Sequence, residues 1–270
     1  MNRLVRVLVG LAILVAILSA TGCTKLKARD QLNKGVQSYK NNKYEEAIEH
    51  FKNAVNLDPT LLNARLYLAT AYATQYVPGS DTPDNVRNAT SAIDQFKKVL
   101  EQDPKNVNSI KGIASLYLQM KDWEHAKEYY NKGIQVDPND PELYYSIAFI
   151  DWTQAYTPRM EARAKLGMKP LDQLKDKKVC DEIKAKNQAV VEEGIKMLDK
   201  ALQLRPDYDD AMAYMNLMYR ERADYECDDP SARTADLKTA DEWVDKTMAT
   251  KKAKAEKAAQ PGGIIMDQNK

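Results

Sequence analysis

Cysteine, histidine and paired carboxylates are the side chains that could carry chemistry here, and the chain holds few of them. Cys23, Cys180 and Cys227 are its cysteines, and His50 and His125 its histidines. So few, so widely spaced, exclude a disulfide-dense scaffold and give no zinc-ligand spacing. Both histidines read as surface residues on separate helices. The acidic pairs Glu45-Glu46 and Asp228-Asp229 would do acid/base work only in a buried cleft, and they lie at a helix start and in a loop. The chain has no GxxxxGK and no GxGxxG, so no phosphate-cradling loop is expected. The expectation is a non-enzymatic protein with no metal and no bound cofactor. The remaining chemistry is that of thiols: acylation or disulfide formation.

Lys and Arg number 40 against 39 Asp and Glu, which argues against a nucleic-acid binder driven by a global basic field. An apolar content of 44% is enough to bury a core. Only 10 glycines stand among many Ala, Leu, Lys and Glu, a composition that favours helix.

The first cysteine follows an address. Arg3 and Arg6 precede an apolar run over 7–20, VLVGLAILVAILSA. Its 14 residues fall short of the roughly 20 that span a bilayer, and fit a secretory signal. The run ends in Leu18-Ser19-Ala20-Thr21-Gly22-Cys23, which resembles the bacterial lipobox. That resemblance implies cleavage before Cys23, then acylation of its sulfur and amine. Ala20 departs from the usual Leu, a substitution the family tolerates. Thr24 stands where an Asp would signal inner-membrane retention, which favours the outer membrane. Several acyl chains anchor far more firmly than one. Residues 1–22 are therefore expected as a signal peptide and 23–27 as a lipidated linker on the periplasmic side of the envelope. Removing 1–22 takes away two arginines and no acid, which turns the net charge slightly negative.

The rest of the chain repeats. Segments 44–59, 89–104, 123–138 and 191–206 each end in proline. Each carries a small, a large and a small or β-branched residue: Ala47/Phe51/Ala54, Ala92/Phe96/Val99, Ala126/Tyr130/Gly133 and Gly194/Leu198/Ala201. Spacings of four then three place each set on one helical stripe. Small members let helices approach and the large one fills the gap, while the proline ends the helix. A further amphipathic helix follows each proline, over 62–74, 107–120, 141–155 and 209–223.

Pro104 and Pro138 are 34 residues apart. Gly112, Ile113-Ala114, Tyr117, Trp123, Ala126, Tyr130 and Pro138 resemble the tetratricopeptide consensus, as do Gly35, Tyr44, Ala47, Phe51, Ala54 and Pro59. The resemblance covers roughly 27–250. It implies an all-α TPR solenoid, a right-handed superhelix of helix-turn-helix repeats. About five are expected, near 28–61, 62–106, 107–140, 141–208 and 209–250, within a solenoid over 28–259.

The period is interrupted. Pro59 to Pro104 is 45 residues, with a Pro- and Gly-rich loop over about 76–88. Pro138 to Pro206 is 68 residues, twice the period, which a hidden degenerate repeat would also fill. Without a second stripe and proline inside it, a long insertion over about 156–189 within the fourth repeat is the preferred reading. The partner helix of the fifth repeat is displaced past Cys227-Asp228-Asp229-Pro230, with Ala240 and Val244 on its packing stripe. Its polar end should hide the terminal apolar face of the array. Lys246 to Lys257 holds five lysines and one acid, read mainly as a solvated face, and 260–270 as a disordered tail.

Cys180 lies 26 residues before Pro206 and Cys227 lies 21 after it. Both fall at the open end of one helical hairpin, so a Cys180–Cys227 disulfide is expected in an oxidising compartment, the alternative being two free thiols. First helices line the concave side in this family. Opposite the packing residues Tyr144, Ile147 and Ala148, Tyr145, Phe149 and Trp152 make an aromatic stripe. It is either an open groove or a face covered by the insertion or the last helix. Tyr39, Leu66, Lys111, Leu118, Leu217 and Arg220 are the other main groove candidates. Residues 159–188, with nine basic against five acidic side chains, form a second candidate surface.

The expected function is a membrane-tethered periplasmic adaptor that binds a protein or peptide in its groove, for envelope assembly or secretion. The alternative is a structural subunit that oligomerises through the insertion and last helix. No nucleic-acid partner is expected, and the lipid at Cys23 is the only non-protein group.

Overall fold

The computed structural model describes residues 23–169 and 172–259, and the regular structure among them is all helical. The expected signal peptide and tail lie outside the described residues. The helices are α1 (23–40), α2 (Tyr44–Leu57), α3 (Leu62–Gln75), α4 (Pro83–Gln102), α5 (Val107–Gln119), α6 (Trp123–Val136), α7 (Pro141–Lys165), α8 (Lys177–Leu204), α9 (Asp209–Tyr225) and α10 (Pro230–Ala259). Contacts divide the chain into two compact units, one up to Lys132 and one from Gly133, the division falling within α6.

Local chemistry sets where these helices begin. The Asn106, Asp140 and Asp176 side chains accept from Ser109, Glu142 and Val179 N–H, capping α5, α7 and α8. Asp229 Oδ1 accepts from Ser231 and Ala232 N–H ahead of α10. Pro83 and Pro141 start α4 and α7 with a φ already helical. Residues 23–27, expected as a linker, are helical from Cys23 onward. Ala28 is fully buried and ties the start of α1 into the unit.

In the first unit, large side chains of second helices sit on glycines of first helices. Phe51 of α2 and Phe96 of α4 are almost wholly buried, with Ala47, Ala54, Ala92 and Val99 around them. A Cβ added at Gly35 would lie 2.5 Å from the Phe51 ring, and one at Gly112 would lie 2.6 Å from Phe96. The small/large/small stripe thus works as the spacing requires.

The loop before α4 is shorter than expected, because α4 begins at Pro83 and takes up part of the 76–88 excess. Asn85, 5% exposed, holds it. Its Nδ2 donates to Val77 O (2.9 Å) and Ser80 O (2.7 Å), and its Oδ1 accepts from Val77 N–H (2.7 Å). Gly79, at φ 82°, makes the turn.

The second unit departs further. No separate insertion stands at 156–189. Instead α7 runs on to Lys165, so that it has 25 residues, and α8 has 28. The spacing of the repeats places a break near Tyr156, and Pro158 within α7, which removes a donor and crowds the preceding turn, would favour one there. Tertiary contacts override this. Asn187 Nδ2 of α8 donates to Ala155 O (2.8 Å) just before the proline, and Arg159 and Arg163 are pinned just after it. Arg163, 1% exposed, also donates to the backbone oxygens of Lys169 (2.8 Å) and Asp172 and so holds the α7–α8 connection. Cys180 and Cys227 are joined by a disulfide with their Cα atoms 6.3 Å apart.

Helix α10 covers α9. Ala240 and Thr247 are buried in this packing and Trp243 is half-buried. Val244, expected on the packing stripe, is 38% exposed, because the stripe runs through 236, 240, 243 and 247. Asp236 takes Arg222, Asp241 takes Arg220 (2.6 Å), and Asp209 takes Lys254 (2.5 Å) and Lys251 (3.9 Å). Part of the late lysine run is therefore used in docking α10.

Two outcomes follow for stability. A methyl group at Gly112 overpacks Phe96, at about 1–3 kcal/mol, against about 1 kcal/mol gained in helix propensity. Gly112→Ala is therefore expected to destabilise, and its effect should be strongly non-additive with Phe96→Leu in a denaturant double-mutant cycle; additive effects would remove the contact from the account. At Gly194 the neighbour is the flexible end of Met218, so Gly194→Ala should cost less. The disulfide closes a separation of 47 residues. Replacing both cysteines by serine should lower stability by about 2–4 kcal/mol in urea titration, and an unchanged midpoint would deny it a structural role.

Candidate functional site

Two clefts are lined by the first helices of the hairpins, one in each unit. In the first unit, α3 presents Leu66, Thr70, Ala73 and Thr74, and α5 presents Asn108, Gly112, Ser115 and Gln119. Phe96 and Leu116 form part of the lining of this space of about 460 Å³. None of these side chains is charged. The hydroxyls of Thr70 and Thr74 turn back to Leu66 O and Thr70 O, each at 2.9 Å. Gln119 Nε2 lies 3.2 Å from Ser115 Oγ. The surface offers neutral amides and hydroxyls over an apolar base, which suits a peptide backbone with small or apolar side chains.

Of the residues expected here, Leu66 lines the cleft, with Thr70, Ala73 and Ser115 of the same stripes. Lys111 and Leu118 are half-buried and lie outside its lining, one position around α5. Tyr39 ties α1 to α3, its hydroxyl 2.8 Å from Thr74 Oγ1, and its ring meets Tyr44 edge-on at 5.3 Å.

In the second unit the aromatic stripe is neither open nor covered by an insertion or by α10. Tyr145, Phe149 and Trp152 close around Tyr214 of α9, with ring centroids 5.5, 5.5 and 5.4 Å away. Tyr208 adds a fourth contact, 5.1 Å from Tyr145. Such edge-to-face arrangements are worth about 0.5–1.5 kcal/mol per pair beyond burial. Burial raises the pKa of Tyr145, Tyr208 and Tyr214, so all three stay neutral at physiological pH. The stripe is thus mainly a packing feature, with Trp152 at its edge.

Beyond that edge lies the second cleft, of about 390 Å³, where Trp152, Leu217 and Arg220 come together. Tyr156, Met160 and Leu237 complete its apolar walls, and Arg159, Glu221, Asp224 and Arg233 its polar lining. Glu221 is 1% exposed, with Oε2 2.7 Å from Arg159 Nε. Asp224 Oδ2 takes Arg159 Nη1 at 2.8 Å and Arg163 Nη1 at 2.9 Å. Burial pushes the Glu221 carboxyl up to about 7 against the pull of Arg159, and the neighbouring Asp224 adds to the rise. Burial also opposes the Arg159 charge, but Glu221 and Asp224 outweigh it and raise the guanidinium pKa.

Asn85, Arg159, Arg163, Tyr214, Glu221, Asp224 and Arg233 were not singled out by the sequence. A signal existed for the ion cluster. Arg159 and Arg163 are four apart, Glu221 and Asp224 three apart, and Glu221 continues the buried stripe of Ala211, Met215 and Met218. No group of three or more His, Cys, Asp or Glu side chains among the described residues is arranged to hold a metal.

Comparison with known proteins agrees with this architecture. Residues 87–148 match a family model described as tetratricopeptide repeat, and residues 35–75 one described as TPR repeat. The chain is 30% identical over 120 residues to the Hsp70-Hsp90 organizing protein of Triticum aestivum, covering 44% of this chain and 19% of that protein. It is 27% identical over 114 residues to the Hsp70-Hsp90 organizing protein 2 of Arabidopsis thaliana, covering 42% and 18%. The chain thus spans about a fifth of these relatives. Among solved structures it is similar to a MamA protein at a TM-score of 0.57 and 13% identity, covering 85% of this chain and 94% of that one. It is also similar to YrrB, described as a TPR protein with an unusual peptide-binding site, at 0.52 and 15%, covering 89% and 98%. The fold is a TPR-type helical solenoid.

Glu221 gives the site a pH dependence. A carboxyl whose pKa is higher folded than unfolded holds stability that is present below its unfolded value, near 4.3, and lost as pH rises through about 7. The loss is on the order of 3 kcal/mol at most. Glu221→Gln should therefore flatten the fall in melting temperature between pH 5 and 8. An identical slope in both proteins would place the proton elsewhere.

Proposed function

We propose that the chain is a non-catalytic adaptor, tethered through acylated Cys23 to the periplasmic face of the envelope, the outer membrane in preference to the inner, and that it binds protein or peptide segments through its first-helix clefts. The observation that carries this is the pair of clefts. Each is built by residues of successive first helices, Leu66, Thr70 and Ser115 in one unit and Trp152, Leu217 and Arg220 in the other. Both have volumes of the size that takes several side chains. The structurally similar YrrB is itself described as having a peptide-binding site.

The tether rests on the order of segments at the N-terminus. Cys23 is an exposed free cysteine. No described helix is long and apolar enough to cross a membrane, and residues 1–22 lie outside the described ones. A lipid at this position would confine the search for partners to the membrane surface and raise the effective concentration there. The segments expected to drive oligomerisation are used inside the second unit, where α7 packs on α8 and α10 on α9.

Photo-crosslinkers at Ser115 and Leu217, with one at the exposed Lys97 as control, test the clefts in cells. Adducts specific to Ser115 and Leu217 are expected, and the same adducts from all three positions would reject the clefts. In the same strains Cys23→Ala should move the chain from the membrane to the soluble fraction; unchanged fractionation would remove the lipid tether.

A further inference from the structure

The cations and anions of the second-unit cleft do not balance. Arg159 and Arg163 are matched by Glu221 and Asp224. Arg220 is matched by Asp241 at 2.6 Å and by Asn216, whose Oδ1 takes Arg220 Nε at 2.9 Å. Arg222, beside the cleft, is matched by Asp236. The Arg233 guanidinium, which lines the cleft from α10, has no hydrogen-bond or ion-pair partner among the described residues. Its Nε and the Trp152 Nε1 are both shielded from solvent without an acceptor. Shielded donors without acceptors are costly, and a cation half-withdrawn from water gains most from a carboxylate, which it can bind through two parallel hydrogen bonds.

The remaining walls are apolar and aromatic. The Trp152 and Tyr156 rings meet at a tilt with centroids 4.8 Å apart, and Arg159 lies over the Tyr156 ring at 5.4 Å. Leu217 and Leu237 lie in the opposing lining. A space of about 390 Å³ takes two or three side chains, not a folded surface.

We propose that this cleft binds a peptide segment carrying an aspartate or glutamate next to a large apolar side chain. The carboxylate pairs with Arg233. The apolar side chain lies against Trp152, Leu217 and Leu237. The buried acids do not repel it, because Arg159 and Arg163 already neutralise them. The proposal rests on the adaptor reading and names the chemistry that one of its clefts selects. The first-unit cleft, with no charged lining, has no such preference.

The test uses the full chain on an array of nonapeptides. Each has one Asp or Glu flanked by Leu, Met, Phe or Trp, and is printed beside its Asn or Gln isostere. The acidic members should be retained about tenfold better, the worth of one charge-assisted pair. Arg233→Met should bring the acidic members down to the level of their isosteres, the acids losing far more than the amides. Arg233→Lys should keep part of it, which separates charge from packing. Leu237→Ser should weaken both members of each pair. Arg233 has no partner to lose, so melting temperatures of its variants should stay within a few degrees of the parent, and they are measured alongside. Equal retention of acids and isosteres, or a preference that survives Arg233→Met, overturns the proposal and leaves the adaptor reading standing. No retention of any peptide, together with no adducts from Leu217, removes both.

Discussion

One contact sets the spacing of the first unit: a large side chain of a second helix laid directly on the backbone of a first helix at glycine. Phe51 over Gly35 and Phe96 over Gly112 leave no room for even a methyl group. The contact fixes how near two helices come, and alanines above and below it, at 47, 54 and 92, let the rest of each interface close to the same distance. It also shapes the cleft. Gly112 lines the open space on α5 while the Phe96 ring fills from behind. A bulkier residue at 112 would move the ring and narrow the groove together, so packing and binding surface are not separable there.

The second unit turns this contact around, with Met218 of the first helix α9 laid on Gly194 of the second helix α8, and adds a second principle. Helices of 25 and 28 residues extend well past an ordinary helix of 14, such as α2. Their extra turns are held by charge and covalent linkage as well as by apolar packing. Arg159, Arg163, Glu221 and Asp224 form a buried network, and Cys180–Cys227 closes the end. Buried ion pairs are weak sources of stability, because desolvation offsets most of the attraction. Their value here is geometric. Arg163 fixes the α7–α8 connection through two backbone oxygens while its other nitrogen holds α9. Any other register would leave a buried charge without a partner.

The fold was legible where periodicity and turn chemistry coincide. The small/large/small stripes and the prolines marked where α2, α4, α6 and α8 end, and Pro230 marked the late start of α10. What escaped was set by contacts distant in sequence. Pro158 favours a break, yet α7 continues because Asn187, Glu221 and Asp224 grip it from other helices. At the candidate site, helical phase brought Trp152, Leu217 and Arg220 to one place. It did not show that Tyr145 and Phe149 would be spent on Tyr214, since that depends on how closely α9 approaches α7. Val244 failed for a related reason. From Ala240 the stripe continues at either i+3 or i+4, and the larger Trp243 took the inward position in place of Val244.

The two clefts differ in what they can discriminate. A lining of threonine, serine, asparagine and glutamine over apolar residues binds through shape and backbone hydrogen bonds, and it tolerates many sequences. A cleft with one uncompensated arginine among aromatic and aliphatic walls penalises any occupant that leaves the cation unpaired. This selectivity depends on the buried network below it. Were Arg159 and Arg163 absent, Asp224 would compete for Arg233 and Glu221 would hold its proton more firmly, so the cation would no longer stand uncompensated toward a ligand. The ion cluster that allows α7 to outgrow the repeat therefore also sets the sign of the surface above it, which is why an extension of the helices and a change in ligand chemistry occur at the same place in the chain.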